Sequence, residues 1–211
     1  MLTRELLVYV KSALPAPPAR VLEIGAGDGD LALALATAGY EITAIDPAAA
    51  PDSHILQRSL LEVQGSFDAA VSVVALHHVE PLEQSCAHLA TLIPGGGTLV
   101  IDELDIDRYD ERATGWWLGQ RRALGHLEES SPAQILDTLR HHIHPLARIN
   151  EALAPYFHFG EPVRGPFLHR WSLSSELQAA EVELIAEGLL PAVGARQVAT
   201  RRGDGEARTS G

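Results

Sequence analysis

Little in this chain could cross-link, grip a phosphate backbone or span a bilayer. One of its 211 residues is cysteine, Cys86, so an internal disulfide is excluded and a reducing compartment is expected. Lysine is nearly missing: Lys11 is alone among 16 basic residues, which face 28 acidic ones for a net charge of −12. That balance repels nucleic acid and an anionic membrane surface. Aromatic residues make up only 5%, but a hydrophobic fraction of 46% still supports a packed, mostly aliphatic core. No apolar run approaches the ~20 residues needed to cross a membrane. The stretch MLTRELLVYVKSALPAPPAR is interrupted by Arg4, Glu5 and Lys11. It reads as a short amphipathic helix stopped by Pro15, Pro17 and Pro18, not as a signal peptide, and a cytoplasmic placement is expected.

What is there alternates between strand and helix. RVLEI (20–24), EITAID (41–46), HILQRSL (54–60), FDAAVSVVAL (67–76) and TLVIDEL (98–104) read as five strands, the third the weakest. GDLALALATA (29–38) and PLEQSCAHLATLI (81–93) read as helices closed by Gly39 and by Pro94-Gly95-Gly96-Gly97. Strands apolar on both faces imply a parallel sheet covered on both sides, a doubly wound, Rossmann-like α/β fold. Residues 1–19 form the leading helix and 20–104 the core. Residues 105–156 are polar and helical and read as a cap inserted after the fifth strand. Residues 157–202 complete the sheet: FHFGEPVRG as a further strand, SSELQAAEVELIAEGLL (174–190) as an amphipathic helix capped by Ser174 or Ser175, and ARQVATRR (195–202) as a last edge strand. Residues 203–211 read as a frayed tail.

The sharpest motif is Glu23-Ile24-Gly25-Ala26-Gly27-Asp28-Gly29, which follows a strand and opens a helix. Its glycines allow a tight turn and close approach of a ligand to the backbone. Asp46, about 20 residues on, ends the next strand, where a carboxylate accepts from ribose hydroxyls. A dinucleotide site would carry a third glycine at position 30, where this chain has Asp30. Glu23 also suits a cationic ligand better than a pyrophosphate. The loop therefore favours a nucleoside cation over a nicotinamide dinucleotide. Asp28 and Asp30 read as acids at a helix N-terminus.

With these features the chain resembles the class I S-adenosylmethionine (SAM) dependent methyltransferases of the broad small-molecule group. VLEIGAGDGDLALALA resembles their first motif, EITAIDPA the second, FDAAVSVVALHHV the motif of the fourth strand and LIPGGGTLVIDE the fifth; GARQVATRR is similar to their terminal antiparallel strand. The resemblance covers residues 20 to 103 and implies SAM as cofactor. It implies Gly25 and Gly27 under the methionine part, Glu23 near its amino group, Asp46 on the ribose and Pro47 on the adenine. It also implies Ser59 and Leu60 in the third-strand slot, with Val74 and Leu76 lining the pocket.

The chemistry expected is methyl transfer to an oxygen, nitrogen or carbon of a small-molecule acceptor. The enzyme must align the nucleophile and exclude water. A protonated acceptor also needs a base, for which His78 is the first candidate and His77 the second, both just past the fourth strand. Either histidine could instead bond only loop backbone. Asp102 and Glu103 either orient an acceptor or are satisfied by backbone. Tyr109, Trp116 and Trp117 form either an acceptor wall or the cap's own core. Arg121, Arg122 and Arg170 could meet an acidic acceptor. His141, His142 and His144 lack a zinc-site pattern and read as a solvated or cap-lining face, so no metal is expected. The rival readings are an RNA or protein methyltransferase, a SAM-binding protein of the same fold that transfers no methyl, and a nicotinamide-dependent oxidoreductase. No Asn-Pro-Pro-Tyr-type motif follows the fourth strand, where ALHHV stands. The sequence carries no sign of oligomeric state.

Overall fold

The computed structural model describes residues 2–51, 53–126 and 130–203. The strand–helix alternation forms one seven-stranded sheet. Strands β1 (Arg20–Ile24), β2 (Glu41–Ile45), β3 (Ala69–Val73) and β4 (Thr98–Leu104) run parallel, joined by α2 (Asp30–Thr37) and α3 (Leu82–Leu92). The strand β7 (Gly194–Arg201) lies antiparallel against β4. The order is β2-β1-β3-β4-β7-β5, with β5 (Phe157–Phe159) and β6 (Val163–Gly165) both pairing with β7. The carboxyl ends of β1, β2, β3 and β4 therefore meet at one edge, where ligands bind in such sheets.

Successive side chains of a strand point to opposite faces. In β4, Leu99 and Ile101 join one core with Leu89 and Ile93 of the α3 segment and with Ile149 and Leu153 of α6 (Leu146–Leu153). Val100 joins the other core, with Leu6 and Val10 of α1 (Arg4–Ala13) and with Leu31 and Leu35 of α2. Both sheet faces are thereby covered. The proline-stopped leading helix is this α1, its Thr3 side chain accepting from the Leu6 N–H at 3.2 Å.

The inserted region forms α4 (Glu111–Ala123), α5 (Pro132–His142) and α6. Helices α4 and α5 pack together, while α6 lies against α3 in the layer over the sheet. A third core lies beyond the sheet edge, with Leu104, Tyr109, Leu136, Phe167 and Val193 buried together. Trp117 stacks on Trp171 with centroids 4.6 Å apart, and its indole N–H donates to the Trp171 carbonyl at 2.8 Å. The aromatic cluster of this region is its own core.

Four expectations need correction. Residues 54–60 do not form a strand: only the bridge between Ile45 and Leu56 forms, because Ser59 folds back onto Glu62 and starts a tight turn. FHFGEPVRG is two strands, split where Pro162 denies the ladder a donor. The strand β7 is not an edge, since β4 flanks it on one side and β5 and β6 on the other. The helix expected over 174–190 starts at Ser174, whose hydroxyl accepts from Glu176, as a short turn before α7 (Gln178–Ala186). It is not amphipathic in the ordinary sense: α7 buries Glu181 and exposes Val182. The expected tail falls at 203–211, of which 204–211 lie outside the described residues. Among the described residues no helix is long and apolar enough to cross a membrane.

Candidate active site

The glycine loop turns at the end of β1. The N–H groups of Gly25 and Ala26 both donate to the Ile45 carbonyl, at 2.9 and 3.0 Å. Gly25, Gly27 and Gly29 all take positive φ, of 71°, 56° and 81°. A Cβ at Gly25 would stand 2.2 Å from the Ala75 Cβ, and one at Gly29 2.7 Å from the His54 ring. A Cβ at Gly27 would meet no atom of the described residues within 4 Å. Two glycines thus serve packing, and the third leaves its backbone open to a ligand. The G-x-G-x-G spacing follows, since Gly29 is the left-handed N-cap of α2 and Asp30 its first residue.

Beside the loop lies a cavity of about 770 Å³. Of the residues singled out from the sequence, Glu23, Gly25, Gly27, Asp46, Pro47, Ser59, Leu60, Val74 and His78 line it. Leu76 and His77 are not among its lining residues: Leu76 is fully buried in the α3 core, and His77 sits behind the wall. Sequence reasoning missed Leu6 of α1 and Leu2 just before that helix, and also Arg58, Glu80 and Ser85. Only the apolar face of α1 hinted at the first two.

The cavity's lining is rich in acids. Asp28, Asp30, Asp46, Glu80 and the buried Glu23 face it against Arg58. Glu23 is 3% exposed and its Oε2 has no hydrogen-bond partner among the described residues. Burial, with Asp28 nearby, pushes its carboxyl up to about 8. Asp46 is held differently, accepting from the Gly27 N–H at 2.9 Å and from the Ala48 N–H at 2.8 Å. Each oxygen keeps a lone pair for a further donor. Ser59 donates its hydroxyl to Glu62 at 2.8 Å.

The opposite wall is the segment after β3. Val74 has φ 56°, rare for a β-branched residue, and its N–H donates to the Asp102 carbonyl at 2.7 Å. Such a conformation costs on the order of 1–3 kcal/mol and is typical of functional sites. Next comes the tight turn Leu76–His78. Fully buried Glu103 accepts from the N–H groups of Ala75 at 2.9 Å and Leu76 at 2.7 Å, and its other oxygen meets His77 Nδ1 at 2.6 Å. The carboxylate therefore serves the turn, not an acceptor. His78 is exposed to the cavity. Partial burial and the neighbouring His77 hold its pKa below the ordinary imidazole value, against the pull of Glu103. It stands neutral at pH 7, the form that can take a proton.

Several remaining candidates are engaged elsewhere in the fold. Asp102 is buried against Arg170 at 2.6 Å and Arg196 at 3.4 Å, and neither Asp102 nor Arg170 lines the cavity. Arg121 lies over the Trp117 ring at 5.0 Å. His141 and His142 turn back to carbonyls of their own helix, and His144 meets Glu80 at 2.9 Å.

The sequence profile of the methyltransferase domain family matches residues 2–144. The chain is 36% identical over 121 residues to a ubiquinone biosynthesis O-methyltransferase of Xanthomonas campestris, a match covering 47% of this chain and 48% of that one. It spans about half the length of the sequence relatives it matches. In fold it is similar to a SAM-dependent methyltransferase from Mesorhizobium loti, with a TM-score of 0.58, 18% identity and coverage of 95% and 98% of the two chains. It is also similar to the 1,6-didemethyltoxoflavin-N1-methyltransferase of Burkholderia thailandensis, a structure with that acceptor and S-adenosylhomocysteine bound. There the TM-score is 0.54 at 16% identity, with coverage of 95% and 76%. The glycine loop, the acid just past β2 and the matched span together mean that this chain belongs to the methyltransferase domain family, with the fold of SAM-dependent methyltransferases.

Proposed function

We propose that the protein transfers a methyl group from SAM to a small-molecule acceptor. The observation that carries this reading is the buried Glu23 carboxyl beside the cavity, whose Oε2 has no hydrogen-bond partner among the described residues, with Asp46 close by across the glycine loop. A buried carboxylate without a donor favours a ligand that brings positive charge. SAM fits this donor set, with its ammonium toward Glu23, its ribose hydroxyls toward Asp46, and Pro47, Ser59 and Leu60 around its adenine. Gly27 offers open backbone to its methionine part. When bound, SAM supplies an electrophilic methyl on a sulfonium.

The chain's own residues do the rest. The walls at Leu2, Leu6 and Val74 exclude water and hold the acceptor for in-line attack. Neutral His78 takes the proton of an acceptor hydroxyl or amine at an imidazole nitrogen. The acidic lining and the net charge of −12 speak for a small neutral or cationic acceptor and against RNA. The toxoflavin enzyme, named for a small acceptor, and the relative named for ubiquinone biosynthesis support the same class.

A metabolite screen with SAM, read as S-adenosylhomocysteine produced, tests the proposal. At least one small acceptor should give turnover that His78→Ala slows. SAM binding with no S-adenosylhomocysteine from any acceptor would favour a binding protein of the same fold. Turnover with RNA alone would overturn the acceptor class.

A further inference from the structure

A second turn in the molecule repeats the one that carries His78. Leu168–Arg170 has the pattern Leu-His-basic, as Leu76–His78 does, and the residue before it has nearly the same backbone angles: φ −144°, ψ −35° at Phe167 against φ −135°, ψ −35° at Ala75. A fully buried carboxylate from another element closes each turn. Glu103 of β4 takes the N–H groups of Ala75 and Leu76 and the ring of His77. Glu181 of α7 takes the N–H groups of Phe167, Leu168 and His169, and the His169 ring at 2.7 Å. The turns differ in where the third residue goes. Arg170 enters the buried pair with Asp102, whereas His78 enters the cavity wall.

The comparison separates holding a turn from serving a site. In both turns the carboxylate replaces the donors' missing partners and fixes the middle imidazole through Nδ1. Only at the first turn does that imidazole touch a group in the cavity: the His77 and His78 rings are 4.1 Å apart, tilted by 50°. We propose that Glu103 is a positioning residue: through the 75–78 turn and the His77 ring, it holds the His78 imidazole in the cavity wall.

This inference rests on the base role proposed for His78, but its geometry can be tested without an acceptor. The groups facing His78 are His77 on its own turn, Glu103 from β4 and His144 from the link between α5 and α6, with Glu80 beside His144. The His78 ring signals, assigned with His78→Ala, can be titrated by NMR in the unliganded protein. Glu103→Gln should move the His78 midpoint downward, the direction expected when a neighbouring negative charge is lost. Glu181→Gln should lower the melting temperature comparably yet leave that midpoint in place. If Glu103→Gln does not fold, His77→Asn makes the cut one residue later and should also move it. A His78 midpoint unmoved in the folded variant would overturn the positioning role.

Turnover with an acceptor from the screen then separates the two readings. Glu103→Gln should lower kcat about tenfold, part of the 10²–10⁴ a general base supplies, at unchanged SAM affinity. If His78→Ala keeps full kcat, the base assignment fails and takes the positioning role with it. If His78→Ala is slow while Glu103→Gln is as fast as the unmodified protein, the positioning role alone fails.

Discussion

Glu23 and Asp46 show how two carboxylates in one cavity acquire different chemistry. Asp46 is anchored by two backbone donors, while Glu23 is buried with one oxygen bare. Glu23 should therefore make stability depend on pH in an unusual direction. Its folded pKa of about 8 lies above the ordinary 4.5, so the folded state holds a proton that the unfolded state has released. Its contribution is fully present below pH 4.5 and is lost as pH rises toward 8. Urea midpoints of the unliganded protein at pH 5.5 and pH 8 should show this loss, and Glu23→Gln should flatten it. Equal slopes for the two proteins would contradict it. A cationic ligand reverses the preference, so SAM binding near pH 7 should release a proton, visible as a dependence of binding heat on buffer ionisation heat. The sequence singled out Glu23 from its place two residues before Gly25. It could not reveal that Glu103 bonds an N–H 27 residues earlier in the chain, because that partner exists only once β4 lies beside β3.

At the scale of elements, the loop between β1 and α2 separates stability from binding. Gly25→Ala places a methyl against Ala75 at a left-handed φ, so it should cost on the order of 2–3 kcal/mol by urea unfolding. Gly27→Ala meets no atom and should cost only about 1 kcal/mol of backbone strain, yet weaken SAM strongly by filling the approach. Similar losses of stability in both would contradict this division. The strands of the parallel core were legible because each is a short β-branched or aliphatic run bounded by turn residues. HILQRSL was misleading because its apolar residues, Ile55, Leu56 and Leu60, do not alternate and so mark no strand face. The side chains of Ser59 and Glu62 then satisfy the backbone locally in place of a ladder. The splitting of FHFGEPVRG was written in Pro162, but which partner strand the halves share was not.

Across the whole molecule, the carboxyl end of β4 joins the sheet to the helices beyond it. Asp102 holds Arg170 and Arg196, and Glu103 holds the His turn. Arg170→Met should destabilise the protein by about 3 kcal/mol, since it strips a buried carboxylate of its nearer partner. Guanidinium unfolding should reveal this; a change within about 0.5 kcal/mol would mean that Arg196 suffices. The half of the chain that builds the cofactor platform was legible because loop, acid and strands follow one another closely. The region beyond β4 was not, since its contacts join residues far apart in sequence, such as Trp117 with Trp171. The cavity between Glu23 and His78 is the proposed SAM site. Calorimetric titration of SAM into the intact protein and into Asp46→Ala tests it most directly. One binding site should appear, weakened tenfold or more in the variant, as expected for a charge-assisted bond worth about 1.5–3 kcal/mol. Equal affinity in the two proteins, or no binding to either, would contradict it.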